Sequence, residues 1–232
     1  SEEQMQAHLA SLPNGGQNAL GSNWAAGDIM YRDLNGDGKI NDGSQTLDDS
    51  GDTKIIGNSS SRYLFGLDLS ANWKGFDARV FFQGVGKRDY YTNSTFFFGM
   101  AQNGIWTMVP LKEHLDYFRL EPSGDLPANP DAYYPRPLSG GFAKNQVWQS
   151  RYVQNAAYIR LKNITLGYTL PRHFTQKYYV SGLRFFVSCD NIWTGTQLAT
   201  MFDPETISGG VQYTGDIYAI QKTASFGLSV TF

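Results

Sequence analysis

Between Arg62 and Gln83 apolar and polar residues alternate. Phe65, Leu67, Leu69, Ala71 and Trp73 fall on one side of an extended chain, and Gly66, Asp68, Ser70 and Asn72 on the other, because successive side chains of a strand point to opposite faces. Lys74-Gly75 reads as a short turn. The alternation then resumes, with Phe76, Ala78, Val80 and Phe82 opposite Asp77, Arg79, Phe81 and Gln83. Charges at 68, 77 and 79 that face away from the apolar side fit a wet lumen or a solvated sheet face, not a dry core. The last nine residues repeat the pattern: Phe226, Leu228, Val230 and Phe232 oppose Ser225, Gly227, Ser229 and Thr231. A half-buried strand of a soluble sandwich and a lipid-facing barrel strand both alternate in this way. An apolar strand running to the last residue invites edge-to-edge association unless a neighbour pairs with it, and barrel closure is one way to supply that neighbour.

The same period returns after residue 150, with one slip. Ile159 and Leu161 share one phase, and Ile164, Leu166, Tyr168 and Leu170 the other, so one extra residue at Lys162-Asn163, a β-bulge, would restore a single apolar face. Pro171 ends that strand, and Leu183, Phe185, Val187 and Cys189 mark the next, up to Asp190. The other segments are irregular. Glu2 to Leu12 is weakly helical, stopping at Pro13-Asn14-Gly15-Gly16 before a surface loop. Residues 90–150 carry Pro110, Pro122, Pro127, Pro130, Pro135 and Pro137 among Phe96-Phe97-Phe98, Trp106 and Tyr133-Tyr134. That aromatic content is too high for a disordered linker. The segment reads either as a ligand or partner surface or as a self-packed lid. Residues 191–218, with Asp203-Pro204-Glu205 and Gly209-Gly210, read as another irregular loop.

Composition narrows the class. Charged residues are 17% and aromatics 15% of the 232 residues, which favours a β-rich protein with large aromatic surfaces. A net charge of -2 without a basic cluster excludes a nucleic-acid-binding field. The single cysteine, Cys189, rules out an intrachain disulfide framework and reads as an inert thiol on an apolar face. No run of about 18 apolar residues forms a transmembrane helix, which says nothing against a barrel of strands about 9–11 residues long. The first residues carry no signal-peptide pattern. Lys112-Glu113-His114 lacks a partner nucleophile or second histidine and reads as a helical surface run, so no enzyme is expected.

The sharpest local motif is Asp33-Leu-Asn-Gly-Asp-Gly38. Asp33, Asn35 and Asp37 occupy positions 1, 3 and 5 of a calcium-type loop, Gly38 the sharp turn, and Lys39 offers its carbonyl at position 7. Calcium takes six to eight hard oxygens, and alternate residues of a tight loop can point three side chains at one ion. Position 12 is Ser44 rather than an acid, with Asp48, Asp49 and Asp52 following. The other reading is an Asx-rich turn that binds no ion.

Several stretches together carry a resemblance: Gly27 to Ile40; Ile56-Gly57-Asn58; Asn129 to Arg136; Tyr158-Ile-Arg-Leu-Lys-Asn-Ile-Thr-Leu-Gly-Tyr-Thr-Leu-Pro171; Asp190-Asn191-Ile192 with Thr194-Gly195-Thr196; and Asp203-Pro204-Glu205. In this order they resemble the C-terminal third of the starch-utilisation type of TonB-dependent outer-membrane transporters, over nearly the whole chain. The resemblance implies an all-β fold, the C-terminal strands of a large 22-stranded antiparallel transmembrane β-barrel with long extracellular loops. It divides the chain into an extracellular region with the calcium-type loop (1–61), a barrel hairpin (62–89), a long extracellular loop (90–150) and C-terminal barrel strands and loops (151–232). It implies import of a large nutrient, a glycan or oligopeptide, across the bacterial outer membrane. The implied partners are the N-terminal barrel and plug polypeptide, a surface lipoprotein lid, the TonB complex through the plug, and membrane lipid. By the spacing seen in relatives it points to Asp52 as the acid of a Ca2+ site with Asp33, Asn35, Asp37 and Lys39, and to Phe232 as the terminal aromatic recognised in barrel insertion. The expected lipid-facing residues are Phe65, Leu67, Leu69, Trp73, Phe76, Val80, Phe82, Phe226, Leu228, Val230 and Phe232. The alternative is a secreted, calcium-stabilised β-sandwich that binds carbohydrate through exposed Trp and Tyr.

Overall fold

A computed structural model describes residues 1–92, 94–99, 111–207, 218 and 220–232. Trp106, Pro110 and Gly209-Gly210 of the loop readings lie outside them. The chain divides into two compact units, one of residues 1–56 and 92–152, the other of residues 57–91 and 153–232.

The second unit holds the alternating segments. Its antiparallel sheet runs β1 (Arg62–Trp73), β2 (Phe76–Lys87), β5 (Tyr158–Thr169), β6 (Gly182–Thr196) and β7 (Thr223–Thr231), hydrogen-bonded in that order. A short pair, β3 (Asp89–Tyr90) with β4 (Gln154–Asn155), lies between β2 and β5 in sequence. Lys74 and Gly75 join β1 to β2 with φ of 47° and 87°, the left-handed pair that matches the twist of a two-residue hairpin. The connections at that end are short, and those at the other, 88–157 and 197–222, are long.

The predicted bulge is present, and it is compound. Against β2, Phe81 and Phe82 face Asn163 and Leu161, so Lys162 is the extra residue. Against β6, Leu161 and Asn163 face Trp193 and Asp190, so β6 adds one residue more. Each insertion bends its strand and raises the local twist. Asn191, at φ 55°, sits in the second insertion. The terminal strand of this pair corrects one expectation: β6 does not stop at Asp190 but runs to Thr196. Its polar second half does not alternate, yet its backbone groups pair with β5.

The first unit is irregular but well packed. Helix α1 (Glu2–Ala10) is capped by Ser1 and Gln4 in a capping box. Residues 92–152 build an aromatic core rather than a loose loop: the Phe97 ring lies 4.9 Å from Phe98, 5.5 Å from Tyr134 and 5.8 Å from Tyr152, all edge-on. Phe97 and Phe98 belong to the short helix α2 (Thr95–Phe98). Lys112–Leu115 forms the expected helical turn with Lys112 and Glu113 exposed, but its histidine points inward. His114 is 2% exposed. Its Nδ1 accepts the Leu111 N–H at 2.9 Å while Nε2 meets the Phe96 and Phe97 carbonyls.

Candidate functional site

The sheet register places the alternation on two chemically distinct faces. Cross-strand partners stack Leu67 on Phe82 and Leu161, Leu69 on Val80 and Ile164, and Phe76 on Tyr168 and Phe185. Phe226 and Leu228 extend that face through Val187 and Phe185. All eleven residues expected to face lipid therefore share this side or, for Phe232, continue its phase. The face is uncovered: Trp73 is 68% and Phe226 85% exposed. A sandwich would need a second sheet across it, and among the described residues the only other sheet is the two-residue β3–β4 pair. Exposed apolar area of this extent marks a surface that meets something apolar.

The opposite face is largely polar, and most of its charged side chains are paired. Arg79 holds Asp68 with both Nε and Nη2, and Arg184 does the same to Asp77 across β5. Near the bulge, Asn163 Nδ2 donates to Ser188 Oγ at 2.9 Å and Asp190 Oδ1 at 2.8 Å, and Thr223 donates to Asp190 Oδ2. Between these clusters two rings lie flat on glycines of the neighbouring strand. Phe186 leaves no room for a Cβ at Gly227, which would fall 2.0 Å from the ring, and Phe81 covers Gly66.

In the first unit, the aspartate loop folds on its own backbone. Asp33 accepts the Gly36 N–H at 2.6 Å and the Gly38 N–H at 2.9 Å. These donors, Gly38 foremost, hold its carboxyl below the usual range. Asn35 accepts from Asp37, and Asp37 from Lys39. Asp52 returns to this loop: Oδ1 accepts the Leu34 N–H at 2.7 Å and Oδ2 the Asn41 N–H at 2.8 Å. The position-12 residue, Ser44, instead pairs with Asp49. Among the described residues no three His, Cys, Asp or Glu side chains converge as a ready metal cluster.

A buried charge group that the sequence reading missed fixes the approach to this loop. Asp28, with no exposed side-chain area, meets Lys144 Nζ at 2.7 Å, Arg136 Nη2 at 2.8 Å and Asn145 Nδ2 at 2.9 Å. Burial pushes its pKa up, but the bonds from Arg136, Asn145 and Lys144 prevail and hold it below the ordinary value. Lys144 also donates to the Ser22 and Asn23 carbonyls and lies 4.6 Å over the Trp24 ring. These partners are 108 to 122 residues apart in sequence, so no local pattern announces them.

A two-faced strand wall and a long-range-tied aspartate loop can be compared with known proteins. Three curated proteins of Formosa agariphila, TonB-dependent receptors P3, P26 and P39, are 28%, 26% and 28% identical over 84%, 89% and 73% of the chain. The chain is similar to TonB-dependent receptors. It spans only 17%, 20% and 15% of those three proteins. No family model matches the sequence. Among solved structures, the RagAB peptide transporter matches with a TM-score of 0.56 at 23% identity, over 79% of this chain and 18% of that one. The RagAB peptide importer in its closed-closed state matches with a TM-score of 0.54 over 82% and 19%. The shared fold is an antiparallel β-sheet wall of barrel type. No helix among the described residues is long and apolar enough to cross a membrane.

Proposed function

We propose that this chain supplies part of the barrel wall and outer loops of an energised outer-membrane importer for a large nutrient, a glycan or an oligopeptide. The observation that carries the reading is one uncovered apolar face across five strands, backed by a polar face whose charges are paired. Strands of 12, 12, 12, 15 and 9 residues are long enough for a tilted span of the hydrocarbon layer. No bond is made or broken; the work is binding, gating and passage. In this reading residues 1–61 and 90–150 belong to the extracellular side, and the remaining barrel and plug come from other sequence. In the same reading TonB acts through the plug and a surface lipoprotein covers the barrel.

The decisive experiment places the full-length transporter in phosphatidylcholine liposomes with brominated acyl chains. The tryptophan fluorescence is quenched, and the quenching falls in Trp73→Phe by the share that Trp73 contributes. A protein extracted from membranes by buffer without detergent, or a Trp73 indifferent to bromine, overturns the assignment.

We also propose that the aspartate loop takes Ca2+. Each ionised carboxylate offers about four lone pairs, so backbone bonds to Asp33, Asp37 and Asp52 leave acceptor capacity, and the donor set is all hard oxygen. Asp33, Asn35, Asp37, the Lys39 carbonyl and Asp52 would hold the ion. Calorimetric titration with CaCl2 gives a binding heat that Asp33→Asn abolishes; no heat in the parent protein ends this proposal.

A further inference from the structure

The connection after β6 folds back over the polar face. Residues 197–207 reach the end of the sheet away from the Lys74-Gly75 turn, where Asp203 meets Arg160 and the Pro204 carbonyl accepts from Arg88 Nη1; Val85 and Tyr158 of that face and Leu198, Phe202 and Ile207 are buried. Phe202 packs edge-on against Tyr90 at 5.3 Å. The contact of greatest chemical interest is ionic. Arg160, 3% exposed, donates from Nε to Thr194 and from Nη2 to Asp203 at 2.8 Å. Its Nη1 faces Glu205 Oε1 at 3.4 Å, and neither of those two atoms has a hydrogen-bond partner among the described residues. Glu205 Oε2 takes its bond from Lys162 Nζ at 3.0 Å. Lys162 is the extra residue of the bulge, and the insertion is what lets it reach the same carboxylate as Arg160.

We infer that Arg160, Lys162, Asp203 and Glu205 form a latch that holds the 197–207 segment as an inward shelf, and that discharging the Glu205 arm lifts the shelf and widens the passage along this wall. The inference rests on the polar face being the lumen side. Two features make the Glu205 arm the releasable part. Its contact with Arg160 is attraction without a formed hydrogen bond, whereas Asp203 is held by Arg160 and also accepts the Glu205 and Ile220 N–H groups. A partly satisfied network in a low-dielectric setting contributes least where its geometry is poorest. Lys162 and Glu205 are the less buried pair, with side-chain exposures of 23% and 14%, so water reaches them first as the shelf moves.

The test uses the full-length transporter in the outer membrane of intact cells, with native cysteines, including Cys189, replaced by Ser. Val85→Cys, at a buried position of the polar face at that end of the sheet, is the reporter, and in the latch its labelling by a membrane-impermeant maleimide follows the open population. Labelling is slow in the parent and about tenfold faster in both Glu205→Gln and Lys162→Met, because either change breaks the same buried pair. The two variants alter charge in opposite senses, so a mere field effect on the thiol would move the two rates in opposite directions. Opposite shifts, unchanged rates, or fast labelling in the parent overturn the latch. If one variant does not assemble, judged by heat-modifiable gel migration, the other decides. Trp193→Cys, on the opposite face, is the separate check on the lumen reading: its labelling by the same water-soluble reagent refutes that reading, whereas the Val85→Cys ratio judges the latch.

Discussion

At Asp28, burial and hydrogen bonding pull in opposite directions, and the bonds win. Lys144 is the partner whose loss matters most, because it is almost as buried as Asp28 and ties three acceptors at once. Lys144→Met leaves a carboxylate without its nearest cation, and breaking a buried pair on one side costs about 3–5 kcal/mol. Hydrogen-exchange protection of residues 22–29 and 136–145 should fall accordingly; unchanged protection would refute the role given to the pair. The pH dependence follows from the direction of the shift. With the folded pKa of Asp28 below the ordinary 3.8, the unfolded chain binds more protons between the two values. The contribution is therefore complete above the ordinary value and is lost as pH falls through the lowered one. Asp28→Asn should flatten the acid limb of the unfolding profile, measured by the same exchange. None of this was legible in the sequence, since Asp28 sits in an unremarkable Gly-Asp-Ile and its partners lie more than 100 residues away. Asp52 was reachable only through the spacing seen in relatives; local pattern could not choose among Asp48, Asp49 and Asp52.

Strands behave differently, because the information that specifies them is local. Alternation with period two fixed the apolar face of β1, β2 and β7, and the one slip in phase correctly located the bulge in β5. What the pattern did not reveal is that β6 carries a further extra residue and continues to Thr196 through polar positions. Backbone pairing, not side-chain burial, holds that half of the strand. His114 escaped for the complementary reason: its burial depends on carbonyls of Phe96 and Phe97 and on an aromatic cluster assembled from distant segments. The two faces make opposite predictions for neighbouring residues. If the apolar face meets lipid as proposed, Leu69→Arg puts a charge in the hydrocarbon and costs about 2–4 kcal/mol near the bilayer midplane, while Ser70→Arg, one residue on, is nearly neutral. Comparing the amounts of assembled transporter in the membrane checks this; equal losses would remove the distinction between faces. On the polar side, Gly227→Ala forces Phe186 off its neighbour, since the added carbon would fall within 2.0 Å of the ring. That variant should lower the unfolding temperature of the reconstituted barrel, and Gly227→Ala combined with Phe186→Ala should recover part of the loss.

For the molecule as a whole, the unresolved chemistry lies at the two margins of the sheet. β1 and β7 are its outermost strands, and each carries a row of backbone N–H and C=O groups without a partner strand among the described residues. In water such an edge is tolerable; in hydrocarbon every unpaired group costs several kcal/mol, which is why strands span a bilayer only in closed barrels. In the proposed barrel, the uncovered apolar face and the two open edges are one physical problem, met by pairing both margins with further strands. The chain spans at most a fifth of the curated relatives, so ample sequence exists in proteins of that kind to provide them. Outward-pointing amides of β1 and β7 are the reporters of this closure. In the 232-residue chain held in detergent they should exchange freely with solvent. In the full-length transporter they should be protected by about tenfold or more, the effect of gaining even one ordinary hydrogen bond per amide. Amides of β2, β5 and β6, already paired on both sides, should change far less and serve as the internal reference. Equal exchange at β1 and β7 in both forms would mean that the margins stay open, and a wall with open margins cannot sit in lipid.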